Sequence, residues 1–202
     1  MVDAARVREN LERVREQIGP GPEILAAVKY VEASDLPALA EGGVTLVGEN
    51  RAQELLAKQA EHRSLFRWHF IGQLQSRKVR DIAPNVELIH SVASRSALGK
   101  LAGHPAAEIL LQVNVAGEDS KAGFEPAELG EAIAGSPVKV SGLMTMPPFV
   151  EDAELNRRHF ARLAELAAEH GLERLSMGTS QDYEVAAQEG ATIVRLGSVL
   201  YS

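Results

Sequence analysis

Cysteine is absent from this 202-residue chain, which removes disulfides, thiolate metal sites and cysteine nucleophiles together, though it decides nothing about compartment. Aromatic residues are scarce, at 4%, and the net charge is −7. Such a chain offers little for base stacking and repels a phosphodiester backbone, so nucleic acid is not an expected partner. No apolar run is long enough to span a bilayer, and Met1 to Gln17 alternates charges where an export signal would run from basic to apolar. The expectation is a cytoplasmic protein with no membrane contact. The six histidines show no His-Glu-x-x-His spacing, and neither a Walker sequence nor Gly-x-Gly-x-x-Gly occurs. A catalytic metal, nucleotide triphosphate hydrolysis and ordinary dinucleotide binding are therefore not expected. A small phosphorylated ligand remains compatible with the acidity, because a few backbone N–H groups and one cation bind phosphate whatever the sign of the whole surface.

What is present is 45% apolar residue content, enough for residues 1–202 to form a single domain around a substantial core. Val7, Leu11, Val14 and Ile18 recur at helical spacing ahead of Gly19-Pro20-Gly21-Pro22, which predicts an opening amphipathic helix. The nearly unbroken apolar run Glu23 to Tyr30 then reads as a parallel strand covered on both faces. Similar runs recur at Val44 to Val47, Trp68 to Ile71, Leu88 to Ile89, Ile109 to Val115, Val138 to Met146, Leu175 to Met177 and Ile193 to Leu196. Helical patterns separate them, among them Arg51 to Glu61, Glu125 to Ala134 and Asp152 to His170. This alternation predicts an α/β fold, a single (β/α)8 TIM-type barrel preceded by a helix and without a second domain, ahead of an open doubly wound sheet. With Ser202 close behind the last strand, the opening helix is expected to cover the sector that a final helix would occupy.

In a barrel the loops after the strands build the active site, so the residues at strand ends carry the chemistry. Lys29 follows an apolar run directly; desolvation there would lower its pKa and free an amine to attack aldehydes, whereas a lysine snorkelling into water is the plainer reading of that residue alone. Gly178-Thr179-Ser180 and Gly197-Ser198 follow strands seven and eight, where barrels often hold phosphate, although Ser180 also suits a helix N-cap. Arg195 interrupts an apolar strand and needs an acceptor, either a ligand or Glu49. Asn50 and Asn114 suit a ligand hydroxyl or the closing of a turn. His69 and His90 read as strand residues, and Arg77-Lys78-Val79-Arg80 as a solvated helix face.

A set of longer stretches carries a family resemblance. They are Ala27-Val28-Lys29, Val47-Gly48-Glu49-Asn50-Arg51 with Gln53-Glu54, Trp68 to Gln75 with Lys78, and Gln112-Val113-Asn114 with Ser120-Lys121-Ala122-Gly123. Gly142 to Met146, Leu175 to Gly178 and Val194 to Gly197 complete the set. Over nearly its full length the chain resembles the pyridoxal phosphate homeostasis family, barrels similar to the N-terminal domain of alanine racemases. The resemblance implies that Lys29 carries pyridoxal 5′-phosphate (PLP) as an imine, that Ser180, Gly197 and Ser198 hold its phosphate, and that Asn50 lies beside the ring. It further implies that Arg195 faces the ring nitrogen or the phosphate. Three positions depart from the family pattern: Thr179 stands for a methionine, Arg77 for an asparagine and Ala93 for an aspartate. None of the three is a proposed anchor.

Three functions compete: a PLP carrier, a PLP-dependent amino-acid racemase, and a lysine-imine aldolase without cofactor. The resemblance favours the carrier, a monomer that holds PLP and releases it, with apo forms of PLP-dependent enzymes as possible acceptors. Little or no turnover is expected. A racemase needs acid/base groups on both faces of the α-carbon and a site closed to water, and the fixed charge of Arg195 beside the ring nitrogen would disfavour ring protonation.

Overall fold

Strands that are apolar on both faces need cover on both, and a parallel sheet obtains it by curling shut around one set of side chains and laying helices over the other. In the computed structural model, which describes residues 2–104, 108–117 and 122–201, eight parallel strands form such a closed barrel in chain order. After helix α1 (Ala4–Ile18) come β1 (Glu23–Ala27), α2 (Leu36–Glu41), β2 (Leu46–Glu49), α3 (Ala52–His62) and β3 (Arg67–Phe70). Next are α4 (Val79–Ile82), β4 (Leu88–Val92), α5 (Arg95–Lys100), β5 (Glu108–Gln112), α6 (Leu129–Ala134) and β6 (Val140–Met144). The chain continues through α7 (Arg157–Glu169), β7 (Arg174–Thr179), α8 (Tyr183–Gln188), β8 (Ile193–Leu196) and α9 (Ser198–Tyr201).

The two-residue period of the strands sorts their side chains into two cores. Leu25, Leu46, Leu88, Leu110, Met144 and Ile193 pack together inside the barrel, with Ile71 against them. Alternate residues such as Ala26, Val47, Ile89 and Val194 belong to the larger core beneath the helices. Gly48 has the inward parity of Leu46, and a Cβ there would stand 2.5 Å from Leu25 Cδ2; the missing side chain leaves room for the interior leucine.

Helix α1 fills the sector assigned to it. Asp3 caps its start by accepting from the Arg6 N–H at 3.0 Å, and Gly19 ends it at φ 72° while donating to the Arg15 carbonyl. Val7, Leu11 and Val14 are buried. Its polar residues reach both neighbours: Arg8 donates to the Glu41 carbonyl at 2.7 Å, and Gln17 accepts from the Tyr183 hydroxyl at 2.7 Å. Asn10 donates to the carbonyl of Leu200 at 3.1 Å, in the one-turn helix α9 that follows the last strand.

Element boundaries differ from the sequence expectation where polar side chains find partners. β1 ends at Ala27, before Lys29, as the chain turns with the Val31 N–H donating to the Val28 carbonyl at 3.0 Å, while side chains also bond the Ala27 and Val28 carbonyls. β4 runs on to Val92 through His90 and Ser91, both buried and hydrogen-bonded inside the fold. The helical stretches from Glu125 and Asp152 open with 3-10 turns, Glu125 and Glu128 forming a reciprocal capping box.

Candidate functional site

Barrel register decides which strand ends are neighbours. Ala26 pairs with Leu196 across β1 and β8, and Ala27 pairs with Gly48 across β1 and β2. Thr179 pairs with Arg195 across β7 and β8. Lys29 and Asn50 therefore follow adjacent strands, Gly197 and Ser198 follow the strand on the other side of β1, and Ser180 comes next. Five of the six residues singled out from the sequence follow strands on one arc of the C-terminal mouth, and Arg195 lies within β8 just beneath them.

Lys29 is exposed, in the turn beyond β1, with Nζ 4.8 Å from the centre of the Tyr30 ring. Burial does not supply the desolvation expected from the apolar run before it. What the fold supplies is a fixed base for the lysine. The Ala27 carbonyl accepts from the Tyr201 hydroxyl at 3.2 Å, and the Val28 carbonyl from Lys58 Nζ at 2.7 Å. Burial, with the Glu49 charge adding to it, raises the pKa of the Tyr201 phenol, so it stays a hydrogen-bond donor.

Lys58 in turn pairs with Glu49 at 2.5 Å, the two side chains being 3% and 0% exposed. The other Glu49 oxygen accepts the N–H groups of Asn50 at 2.6 Å and Arg51 at 3.2 Å. One buried ion pair thus ties together the ends of β1 and β2 and the start of α3. Glu49 is accordingly not the acceptor of Arg195, which the sequence left as one of two options. Lys58 went unread, although Ala52, Leu55 and Lys58 lie on one helical face at three-residue steps, so an inward lysine beside Glu49 was available from spacing.

On the other side of β1, the Ser180 hydroxyl accepts from the Gly197 N–H at 3.0 Å, joining the loops after β7 and β8. Asp182 sets the β7 loop by accepting from the Thr179 N–H at 2.7 Å and the Thr179 hydroxyl at 3.0 Å. Thr179, a departure from the family pattern, gains that second bond from its hydroxyl. Gly178 has φ 88°, and a Cβ there would stand 2.6 Å from the Ala186 Cβ, so the turn requires glycine twice over. Ser198 is exposed at the first position of α9.

Arg195 is 6% exposed; Nη1 donates to Ser176 Oγ at 2.5 Å and Nη2 to the Thr145 carbonyl at 2.9 Å. Burial lowers its pKa to about 10, with the Asp182 charge opposing, and leaves a cation at neutral pH. Asn50 is half-buried, and its Oδ1 has no hydrogen-bond partner among the described residues. Asn114 closes a turn, donating to Glu125 at 3.1 Å, which is the structural option the sequence left open for it. A cavity of about 570 Å³ opens at the mouth, with Gln73, Ser91, Gln112 and Met144 among its walls and Thr179 and Asp182 of the β7 loop closing another side. Ser120 and Lys121 of the family stretch lie outside the described residues. Among the described residues, no group of acidic or histidine side chains is arranged to hold a metal ion, and no helix is long and apolar enough to cross a membrane.

The family described as alanine racemase, N-terminal domain, matches residues 2–202, which makes the barrel one of that class. A pyridoxal phosphate homeostasis protein of Aquifex aeolicus is 38% identical over 98% of this chain and 95% of its own length. One from Pseudomonas aeruginosa is 40% identical over 98% of this chain and 91% of its own. The chain belongs to the pyridoxal phosphate homeostasis protein family. Among solved structures, PipY of Synechococcus elongatus with PLP bound superposes with a TM-score of 0.84 at 33% identity, covering 97% of this chain and all of its own (100%). Alanine racemase of Corynebacterium glutamicum, at 18% identity, shares the fold with a TM-score of 0.74 over 99% of this chain and 61% of its own.

Removing one partner of a buried ion pair leaves the other charge uncompensated, a loss of about 3–5 kcal/mol. Lys58→Met is therefore expected to lower stability in urea denaturation by roughly that amount, and adding Glu49→Leu to recover part of the loss. Equal stability of Lys58→Met and the parent chain would show that the pair does not hold these strand ends.

Proposed function

We propose that residues 1–202 act as one PLP-binding unit, with Lys29 Nζ as the point of covalent attachment. Asn50 then lies beside the ring, Ser180, Gly197 and Ser198 surround the phosphate, and Arg195 faces the ring nitrogen. The observation that carries this reading is the β7–β8–β1–β2 register, which groups a lysine, a hydroxyl joined to a backbone N–H, an amide oxygen awaiting a donor, and an arginine at one end of the barrel. The donor set suits the group. Arg195 keeps N–H groups to spare beyond its two bonds, and the space where a Gly197 Cβ would stand has only the Ala27 oxygen at 4.0 Å. The names of the relatives and the PLP-bound PipY structure support the same ligand.

When bound, PLP supplies an aldehyde that an amine can capture and a ring that withdraws electrons. The chain's own residues do the rest. Tyr201 and Lys58 hold the two carbonyls that precede Lys29, so the lysine has a fixed base and a free, exposed amine. Ser180 brings a hydroxyl to the phosphate side, while Arg195 brings a charge that opposes protonation of the ring nitrogen. The proposed role is to hold and release PLP in the cytoplasm as a monomer, with apo forms of PLP-dependent enzymes as acceptors. Sustained turnover is not part of it. Two carboxylates on this arc are committed elsewhere: Glu49 to Lys58, and Asp182 to Thr179 and to Asn156 at 2.9 Å. Lys29 and the exposed Tyr30 stand together after one strand, and racemisation needs acid/base groups on both faces of the α-carbon.

Borohydride treatment of the PLP-loaded protein, followed by peptide mass mapping, is expected to fix a pyridoxyl group on Lys29 and to find none in Lys29→Ala. Labelling of another lysine would overturn the assignment. Ser180→Ala is expected to weaken PLP binding by roughly 1.5–3 kcal/mol, about tenfold to a hundredfold, through loss of one hydrogen bond to a charged acceptor. Binding of pyridoxal, which lacks the phosphate, should change little. Equal weakening of both ligands in a titration would remove Ser180 from the phosphate.

A further inference from the structure

A polar thread crosses the otherwise apolar barrel interior, and it includes three side chains that the functional reading leaves unused. His69 on β3, His90 on β4 and Ser176 on β7 are fully shielded from solvent, and Arg195 on β8 nearly so. His69 Nδ1 lies 3.0 Å from His90 Nε2, and His90 Nδ1 lies 2.7 Å from Ser176 Oγ, which accepts from Arg195 Nη1 at 2.5 Å. Around them stand Leu25, Leu46, Leu88, Leu110, Met144 and Ile193. Replacing buried polar networks by well-packed apolar residues often costs nothing or stabilises, so this thread is expensive filler if filler is all it is.

Arginine only donates, so Ser176 Oγ must accept from it. Ser176 Oγ has a second lone pair, but His90 Nδ1 is its other partner among the described residues, so the hydroxyl hydrogen is satisfied by going to Nδ1. A neutral imidazole accepting at Nδ1 carries its proton on Nε2, so His90 donates to His69 Nδ1, and His69 in turn carries its proton on Nε2. Both rings are neutral: burial first, and then nearby positive charges, lower the pKa of His69 to about 3 and that of His90 well below its ordinary value. In this arrangement the serine hydroxyl and the His90 Nε2–H each find an acceptor, and every bond runs away from the guanidinium. The chain ends at His69 Nε2, buried without a hydrogen-bond partner among the described residues and 4.0 Å from the Glu87 carboxylate. At the other end, the guanidinium reaches the Thr145 carbonyl, one residue past β6 and so at the level of the mouth.

We infer that Ser176, His90 and His69 are positioning residues, a one-way hydrogen-bond chain that locks Arg195 as a fixed donor beneath the mouth and so holds the ring nitrogen of bound PLP unprotonated. The role assigned to the ring nitrogen rests on the functional reading above; the direction of the chain does not. In competition with that geometry, a histidine pair serving only as filler would tolerate either tautomer and would leave the cofactor's electronics untouched.

Two measurements test it. Nitrogen-15 NMR of the histidines in the free protein should show both His69 and His90 protonated at Nε2 alone; a proton on Nδ1 of His90 would overturn the direction of the chain. In protein loaded with PLP labelled at the ring nitrogen, Ser176→Ala and His90→Leu should shift that resonance towards the protonated form and weaken PLP binding about tenfold. His90→Asn, whose amide oxygen can accept from Ser176 where Nδ1 did, should restore both to near the parent values. If these variants lower only the melting temperature, with the ring-nitrogen resonance and affinity unchanged, the positioning role falls and the PLP reading stands. If the parent protein takes up no PLP at all, both fall, which separates the two failures.

Discussion

Closure of the sheet between β8 and β1 is the contact on which the remaining arrangement depends. A parallel barrel closes only when strand tilt and stagger agree around the whole ring, so register at the last seam is not free to vary. Here the seam runs from Glu23 opposite Ile193 to Ala26 opposite Leu196. That register places Gly197 beside the end of β1 and, through its bond to Ser180, brings the β7 loop to the same place. A slip would turn inward residues outward and would change which strand ends stand beside the loop that carries Lys29.

Within that frame, charge is buried in two places with different consequences. Outside the barrel wall, Glu49 and Lys58 neutralise each other and spend their remaining hydrogen-bonding capacity on backbone groups at the ends of β1 and β2. The pair makes a rigid foundation for an exposed lysine. Inside the wall, Arg195 has no carboxylate hydrogen-bonded to it among the described residues; it rests on a hydroxyl and a carbonyl, with the Asp182 charge acting on it. A backbone held in place around Lys29 and a guanidinium resting on neutral hydrogen-bond partners suit the proposed site for an anionic aldehyde.

The barrel was legible in the sequence because eight apolar runs alternating with helical patterns admit few other solutions, and the strand-end residues gathered at one mouth for the same reason. What spacing did not carry was partnership across the fold. Lys29 follows an apolar run, yet the strand stops short of it, and Tyr201 and Lys58 bond the carbonyls that precede it from far along the chain. Glu49 was open as a partner for Arg195 since their strands flank β1, but they face opposite sides of the barrel wall, and a parity count along β2 separates them. Ser176 and His90 are 86 positions apart, and only closure of the ring makes them a hydrogen-bonded pair.

The central claim is that this arc of residues holds PLP without turning over amino acids. It is tested most directly by incubating the PLP-loaded protein with a panel of L- and D-amino acids in deuterated water and following α-proton exchange and chirality. The account predicts no sustained exchange, since the arc's Glu49 and Asp182 carboxylates are committed elsewhere and Arg195 opposes protonation of the ring. Multiple turnovers that vanish in Lys29→Ala would contradict it and make the protein an enzyme.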